Sequence, residues 1–254
     1  MAYFHYQSKN IYYEETGNGR PLLLLHGNTA SSKMFSEIAP KYAQDYKVIV
    51  IDFLGCGKSD RIVEFATDLW YDQAMQVISF LQAKGYAGVY LIGTSGGALT
   101  ALNVALERPD LVRKLVADSF EGEYANPVIT QSLYEGREAS KRDARARMFY
   151  EVMNGPDWEN VVDKDTEAIL KHAKQIKQFF HKPLSSLKPP VLFTGSRKDE
   201  IVPKDFYENL FQDILRKNTN GQQYLFEQGG HPAMLSNLAE FTELSKNFFK
   251  DTTA

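Results

Sequence analysis

The sequence has a single cysteine, Cys56, among its 254 residues. One cysteine cannot form an internal disulfide, so a disulfide-stapled scaffold is excluded and a reducing compartment is expected. The first ten residues hold no apolar segment of signal-peptide length. No run approaches the roughly 18 apolar residues that a membrane helix requires. We therefore expect a cytoplasmic protein that has no membrane partner.

An excess of charge of one sign is also missing. Lys and Arg number 29, Asp and Glu number 32, and the net charge is −3. A nucleic-acid-binding domain would be strongly basic, so a nucleic-acid partner is not expected. The sequence has no His, Cys and Asp cluster at zinc spacing and no G-x-G-x-x-G loop after a strand, so neither a metal nor a cofactor is implied.

Short apolar runs alternate with amphipathic stretches along most of the chain. Continuous apolar runs are typical of strands that are covered on both faces. After an expected hairpin at residues 3–15, the pattern predicts an α/β fold with a mostly parallel sheet between helices. The predicted parallel strands are 22–25, 48–51, 89–92, 115–117, 191–193 and 224–226, and the predicted flanking helices are 32–44, 69–84, 97–108, 203–215 and 237–250.

The alternation stops between residues 121 and 187, where no strand run occurs. Helical patterns instead cover residues 126–153 and 164–180, on either side of Asn154-Gly155-Pro156. We expect residues 121–187 to form a helical lid (cap) insertion, and residues 1–120 and 188–254 to form the core. The apolar residues of the insertion would cover a site or form the insertion's own core.

The segment Gly93-Thr94-Ser95-Gly96-Gly97 has the pattern G-x-S-x-G, directly after a predicted strand and before a predicted helix. A serine on such a tight turn has a strained backbone and an exposed hydroxyl, and bulky neighbours two positions away would clash with the strand and the helix. The N-terminus of the helix also favours developing negative charge. Ser95 is therefore the candidate nucleophile.

Three ionisable residues follow other predicted parallel strands. Because the carboxyl ends of parallel strands meet at one edge of the sheet, Asp199 and His231 are both expected near Ser95. The order Ser95, Asp199, His231 is the nucleophile–acid–base order of α/β-hydrolases. Asp118 directly follows another predicted strand and is the alternative acid.

The predicted strand at 22–25 runs into His26-Gly27-Asn28. In acyl-transfer enzymes built on such sheets, this loop donates one backbone N–H to the oxyanion hole and the residue after the nucleophile donates the other. Asn28 and Gly96 are therefore the predicted backbone donors. His26 itself is expected to be a structural residue that is hydrogen-bonded to the backbone.

These segments occur together in the order of one superfamily. They are His26-Gly27, Asp52-x-x-Gly55-x-Gly57-x-Ser59, Gly93-x-Ser95-x-Gly97, Gly195-x3-Asp199-x2-Val202-Pro203 and Gly229-Gly230-His231. On these motifs the chain resembles the α/β-hydrolase superfamily over residues 1–250. The resemblance implies an α/β-hydrolase fold with a helical lid, a Ser–His–Asp triad and an acyl-enzyme that water releases.

Within that superfamily, Leu133-Tyr134-Glu135-Gly136-Arg137 and the proportions of the lid look like the biphenyl-hydrolase-like ester hydrolases, the valacyclovir hydrolase group. Those enzymes carry an acid directly after the nucleophile to hold a substrate amino group. Gly96 stands there in this chain, which argues against amino-acid esters as substrates. Asn28 also resembles haloalkane dehalogenases, but their nucleophile is an aspartate, and Ser95 argues against that reaction.

We therefore expect a serine hydrolase that cleaves a small carboxylic ester. A C–C bond or lactone hydrolase with the same triad is one alternative, and a ligand sensor with slow or no turnover is another. The basic residues Arg137, Lys141 and Arg145 share one predicted helix face. They could attract an acidic substrate or form a solvated surface. The sequence leaves the oligomeric state open.

Overall fold

Eight strands form one sheet in the computed structural model, which describes residues 2–218 and 220–250. The strands are β1 (Ala2–Tyr6), β2 (Lys9–Thr16), β3 (Pro21–Leu25), β4 (Lys47–Ile51), β5 (Val89–Thr94), β6 (Val112–Asp118), β7 (Val191–Ser196) and β8 (Gly221–Phe226). They lie in the order β1-β2-β4-β3-β5-β6-β7-β8. The first two pairings, β1 with β2 and β2 with β4, are antiparallel, and all later pairings are parallel. The predicted mostly parallel sheet is confirmed.

Helices cover both faces of this sheet. They are α1 (Ala39–Tyr42), α2 (Leu69–Ala83), α3 (Gly96–Glu107), α4 (Pro127–Ser140), α5 (Ala144–Asn154), α6 (Trp158–Gln175), α7 (Phe206–Lys217), α8 (Ala233–Ser236) and α9 (Leu238–Phe249). Leu23 and Leu25 of β3 pack on the face covered by α2 and α3, whereas Leu22 and Leu24 pack on the face covered by α1 and α9. Burial on both faces explains why the strand has no polar alternation.

The first flanking helix differs from its prediction. Residues 32–44 were expected to form one helix, but the structure has a 3₁₀ turn (Ser32–Phe35) followed by the short helix α1. Pro40 lies in the first turn of α1. Proline has no N–H and clashes with the preceding turn, so it is accommodated at the start of a helix and not inside one. The prediction of a continuous helix was wrong for this reason.

Three helices, α4 to α6, occupy the interval between β6 and β7 where an insertion is predicted. The predicted helical stretch at 126–153 is interrupted, because Asp143 accepts hydrogen bonds from the backbone N–H groups of Arg145 and Ala146 and so begins α5. The break expected at Asn154-Gly155-Pro156 is present. The following helix begins at Trp158, earlier than the predicted residue 164.

Hydrogen bonds connect this helical interval to the loops of the core. Ser31 Oγ donates to the Met153 carbonyl over 2.8 Å. Asn154 donates from Nδ2 to the Thr29 carbonyl over 2.7 Å and accepts at Oδ1 from the Gly57 N–H over 3.0 Å. The end of α5 is therefore fixed against the loops after β3 and β4. Among residues 2–218 and 220–250, no helix is long and apolar enough to cross a membrane.

Candidate active site

Ser95 lies on the turn between β5 and α3, and its backbone has φ 54° and ψ −125°. A non-glycine residue rarely adopts a positive φ, so this turn is strained. The glycines on either side are required by space. A Cβ added to Gly93 would lie 2.1 Å from the Gly97 carbonyl oxygen, and a Cβ added to Gly97 would lie 2.1 Å from the Leu25 carbonyl oxygen. The strained turn that the G-x-S-x-G pattern predicts is present.

The structure brings the three predicted triad residues into one chain of hydrogen bonds. His231 Nε2 lies 3.0 Å from Ser95 Oγ, and His231 Nδ1 lies 2.8 Å from Asp199 Oδ2. Because the carboxylate can only accept, Nδ1 carries the proton in the neutral imidazole and Nε2 is left to accept the Ser95 hydroxyl proton. This arrangement can withdraw a proton from Ser95 and stabilise the resulting imidazolium.

The Asp199 carboxylate has two further hydrogen-bond donors. The Ile201 N–H donates to Oδ1 over 2.9 Å, and the Tyr207 hydroxyl donates to Oδ2 over 2.9 Å. Burial opposes ionisation of Asp199, but the hydrogen bond and positive charge of His231, with these two donors, outweigh it and lower the pKa of the carboxyl group. Asp199 is therefore held ionised beside the imidazole.

Asp118, the alternative acid, has other partners. Its Oδ2 accepts hydrogen bonds from Thr94 Oγ1 over 2.8 Å and from the Met234 N–H over 3.1 Å, and its Oδ1 accepts from Thr194 Oγ1 over 2.8 Å. Burial raises the pKa of this carboxyl group despite these donors. The structure does not bring Asp118 into a hydrogen bond with His231. It joins β5, β7 and α8 at the carboxyl edge of the sheet.

The loop after β3 is fixed beside Ser95 by His26. His26 Nε2 accepts the Phe53 N–H over 3.2 Å, so Nδ1 carries the proton and donates to the Gly27 carbonyl over 2.8 Å. Burial lowers the pKa of His26 and keeps the imidazole neutral. A Cβ added to Gly27 would lie 3.1 Å from Ser95 Cβ, so a larger residue there would require the loop or Ser95 to shift by a few tenths of an ångström. The predicted structural function of His26 agrees with these contacts.

Asn28 and Gly96, the predicted oxyanion-hole donors, are in contact. Within the described part of the chain, neither backbone N–H has an acceptor. The Asn28 side chain accepts from Trp70 Nε1 over 3.1 Å and donates to Asp165 Oδ2 over 2.8 Å. A Cβ added to Gly96 would lie 2.0 Å from Asn28 Oδ1. The space that an acid after the nucleophile would need is therefore taken by the Asn28 amide.

Asp165 belongs to α6 and forms a buried ion pair with Arg137 of α4, with 2.7 Å between Oδ1 and Nη1 and side chains 1% and 8% exposed. Arg137 also donates to Thr166 Oγ1 over 2.8 Å. Lys141 pairs with Glu138 and Asp163 on the surface. Arg137 and Lys141 are thus neutralised within the chain. The hypothesis that this basic face attracts an acidic substrate is not supported for these two residues.

A cavity opens at Ser95 and His231, between the carboxyl edge of the sheet and helices α4 and α6. Its wall is mostly apolar and includes Leu99, Phe120, Ile129, Leu133, Ile169, Ile201, Val202 and Tyr207, with the polar groups of Asn28, Ser119, Glu121 and Thr130. A largely apolar cavity with a few convergent polar groups is typical of a small-molecule site.

Within residues 2–218 and 220–250, no group of three or more His, Cys, Asp or Glu side chains is arranged to hold a metal ion. Cys56 is buried, and burial raises the pKa of its thiol well above the ordinary value. A thiol in that environment is a poor nucleophile.

Four residues of the site were missed by the sequence analysis: Trp70, Glu121, Asp165 and Tyr207. Glu121 could have been identified from the sequence, because it follows strand β6 and is therefore expected at the same edge of the sheet as Asp199. Trp70 and Asp165 act on Asn28 from 42 and 137 residues away, and no local pattern marks such contacts.

Comparison with known proteins agrees with the fold. The family described as alpha/beta hydrolase fold matches residues 20–149. Human serine hydrolase BPHL is 28% identical over 94% of this chain and 83% of its own length. The 2-hydroxy-6-oxo-6-phenylhexa-2,4-dienoate hydrolase of Comamonas testosteroni is 27% identical over 94% of this chain and 91% of its own length. MGS-M2, an alpha/beta hydrolase enzyme from a deep-sea metagenome, has a TM-score of 0.78 at 21% identity, covering 100% of this chain and 98% of its own. The chain belongs to the family of enzymes with the alpha/beta hydrolase fold.

Proposed function

We propose that this protein is a serine hydrolase that cleaves a small carboxylic ester through an acyl-enzyme. The observation that carries the proposal is the continuous contact from Asp199 through His231 to Ser95, with distances of 2.8 and 3.0 Å. A nucleophile, a base within hydrogen-bond reach and a third group that orients the base are the requirements of nucleophilic catalysis at a serine.

In the first half of the proposed reaction, Ser95 Oγ attacks the ester carbonyl while His231 Nε2 takes its proton. Asp199 holds Nδ1–H and stabilises the imidazolium that forms. The negative charge on the carbonyl oxygen is held by the backbone N–H groups of Asn28 and Gly96, and their lack of an acceptor within the described chain supports this assignment. The imidazolium then protonates the leaving alcohol.

In the second half, water takes the place of the alcohol. His231 accepts a proton from that water, the hydroxide attacks the acyl carbonyl, and the ester bond to Ser95 Oγ breaks as His231 returns the proton to it. The carboxylic acid leaves and the neutral imidazole is restored. His231 and the two backbone N–H groups act in both halves, so the same geometry serves acylation and deacylation.

Residues 121–187 are proposed to act as the lid of this site. Ile129 and Leu133 of α4 and Ile169 of α6 belong to the cavity wall. Side chains from these helices therefore face the substrate cavity, and the packing of the helices would determine which acyl or alcohol groups fit.

Hydrolysis of p-nitrophenyl esters from acetate to octanoate, measured beside Ser95→Ala, tests the proposal. We expect kcat to fall by roughly 10⁴- to 10⁶-fold in the variant, since the nucleophile is lost and only binding and the oxyanion hole remain. The chain-length optimum would show the size of the acyl site. A variant that keeps more than a tenth of the activity would contradict Ser95 as the nucleophile, and a folded wild type without turnover would favour the sensor.

Hydrolysis of a C–C bond is the second candidate. It is favoured by the similarity over 94% of the chain to a Comamonas hydrolase named for a phenylhexadienoate. Such a substrate would use the same three residues. Turnover of a dienoate of that type, with no turnover of the p-nitrophenyl esters, would select this candidate over the esterase.

A further inference from the structure

Of the residues that the structure describes, Glu121 is the one acidic side chain in the cavity wall, and no Lys or Arg lines that wall. It is partly buried and lies just after β6. The backbone N–H of Asn126 is near enough to lower the pKa of its carboxyl group. Among the described residues, no Lys, Arg or His side chain forms an ion pair with it. The substrate cavity therefore carries one carboxyl group that the protein leaves without a counter-ion.

Two cationic residues on helices that contribute to the cavity wall have other partners. Arg137 is buried against Asp165, and Lys217 pairs with the neighbouring acid Glu123. Burial raises the pKa of Glu121 to about 8, against the smaller lowering effect of the Asn126 N–H. A carboxylate without a partner in an apolar wall is costly, and a cation placed beside it would relieve that cost.

We propose that Glu121 binds a positively charged ammonium group of the substrate, so that the preferred substrates are small esters that carry an amino group. This inference rests on the proposed ester hydrolysis at Ser95. It assigns Glu121 as a specificity residue, because an ammonium group that contacts it would be held while the ester carbonyl reaches Ser95.

The same wall disfavours a substrate carboxylate. A dienoate, the group in the name of the Comamonas relative, would bring a negative charge into a cavity whose only unpaired ionisable wall group outside the triad is an acid. Near neutral pH Glu121 is largely protonated, and the described wall offers no Lys or Arg side chain to compensate the lost hydration of a substrate carboxylate. An ammonium group can instead displace the proton of Glu121 and pair with its carboxylate, so the cavity favours amino-bearing esters over carboxylate-bearing substrates.

A matched pair of esters tests the inference. The p-nitrophenyl esters of β-alanine and of butanoic acid differ only in a terminal ammonium in place of a methyl group. We expect the ratio of their kcat/KM values, each corrected for reaction with hydroxide, to fall roughly 10- to 100-fold in Glu121→Gln, as for a lost hydrogen bond to a charged group. Glu123→Gln, two residues along and outside the cavity wall, should leave the ratio within twofold of wild type.

An unchanged kcat/KM ratio of the two esters in Glu121→Gln overturns the inference. If Ser95→Ala has lost hydrolysis of both esters, the proposed ester hydrolysis still stands. Calorimetric binding of propylammonium, propanol and propanoate needs no turnover and so separates the two proposals. Tighter binding of propylammonium to wild type than to Glu121→Gln supports the inference. Equal binding of the three compounds to the folded wild type overturns it.

The wild-type protein alone offers an additional measurement. Near neutral pH, binding of propylammonium should drive a proton off Glu121, so the binding enthalpy should depend on the ionisation enthalpy of the buffer. His231 and Tyr207 are the other titratable side chains in the wall. If the proton comes from Glu121, its release on propylammonium binding should disappear in Glu121→Gln. Binding without proton release in wild type would contradict a contact with Glu121.

Discussion

The side-chain amide of Asn28 fills the space beside Gly96, where an added Cβ would come within 2.0 Å of Asn28 Oδ1. Trp70 Nε1 donates a hydrogen bond to the oxygen of that amide over 3.1 Å, and the nitrogen of the amide donates to Asp165 Oδ2 over 2.8 Å. The glycine after Ser95 is therefore a packing requirement of this site. An acid at position 96 would have to displace Asn28 from both partners.

Gly96→Ala is expected to lower kcat roughly 10²- to 10³-fold, the cost of losing one oxyanion-hole donor, because the new methyl group would push the Asn28 loop away from Ser95. Hydrolysis of a p-nitrophenyl ester measures the effect. Gly136→Ala in α4 is the matched control, since a Cβ there meets nothing within 4 Å. That control should keep full kcat and gain about 0.5–1 kcal/mol in the free energy of unfolding. A Gly96→Ala enzyme within threefold of wild type would refute the packing argument.

Asp199→Asn is expected to reduce kcat by roughly 10⁴-fold, because an amide facing His231 Nδ1 favours the wrong imidazole tautomer. Asp118→Asn should keep kcat within tenfold of wild type and lower the free energy of unfolding by about 1–3 kcal/mol, since its amide would disturb three buried hydrogen bonds. Steady-state kinetics and urea unfolding of both variants distinguish the two acids. If Asp118→Asn were the inactive variant and Asp199→Asn the active one, the assignment of the acid would be reversed.

The buried pair of Arg137 and Asp165 should show strong coupling. Arg137→Met leaves the Asp165 carboxylate buried without its cation, and we expect a loss of about 3 kcal/mol in the free energy of unfolding. Asp165→Asn leaves Arg137 unpaired and should cost a similar amount. The double variant removes both charges, so its loss should be clearly smaller than the sum of the two. Additive losses in urea unfolding would show that the pair contributes no mutual interaction.

Glu121 should make stability depend on pH. Its pKa of about 8 in the folded protein lies above its ordinary value of 4.5. Stability from the bound proton is fully present below about pH 4.5 and is lost as the pH rises towards about 8, because the unfolded chain releases that proton earlier. Glu121→Gln should therefore match wild type near pH 4 and exceed it above pH 8 by about 2 kcal/mol, or roughly 5 °C in Tm, after allowance for solvent contact. Equal Tm values at high pH would contradict the raised pKa.

The sequence was sufficient to find the residues of the hydrogen-bonded triad, because each follows a parallel strand. The register pairs Gly93 with Ala117 and Asp118 with Thr194, so the carboxyl ends of β5, β6 and β7 are level. Any polar residue just beyond these strands must reach the same edge. Chain order does not separate Asp199 from Asp118, because both lie between Ser95 and His231, and the contacts of the two carboxylates favour Asp199.

The supporting contacts could not be predicted, because they depend on how α4 to α6 pack over the sheet. The hydrogen bond from Asn28 to Asp165 joins residues 137 positions apart. Gly96 leaves no acid directly after the nucleophile, whereas Glu121 supplies a carboxyl group from the end of another strand. The position of Pro40 in the sequence could have predicted the start of α1, because proline is accommodated in the first turn of a helix, although the apolar pattern suggested one longer helix.

The hydrogen bond between Asn28 and Asp165 makes the oxyanion-hole loop and helix α6 parts of one thermodynamic linkage. A transition-state analogue that draws the Asn28 loop towards Ser95 should protect α6 from amide hydrogen exchange. By reciprocity, the free energy by which the analogue stabilises α6 equals the free energy by which an ordered α6 favours binding of the analogue. We therefore expect substitutions on the outer surface of α6 to change the affinity for the analogue without altering any residue of the triad.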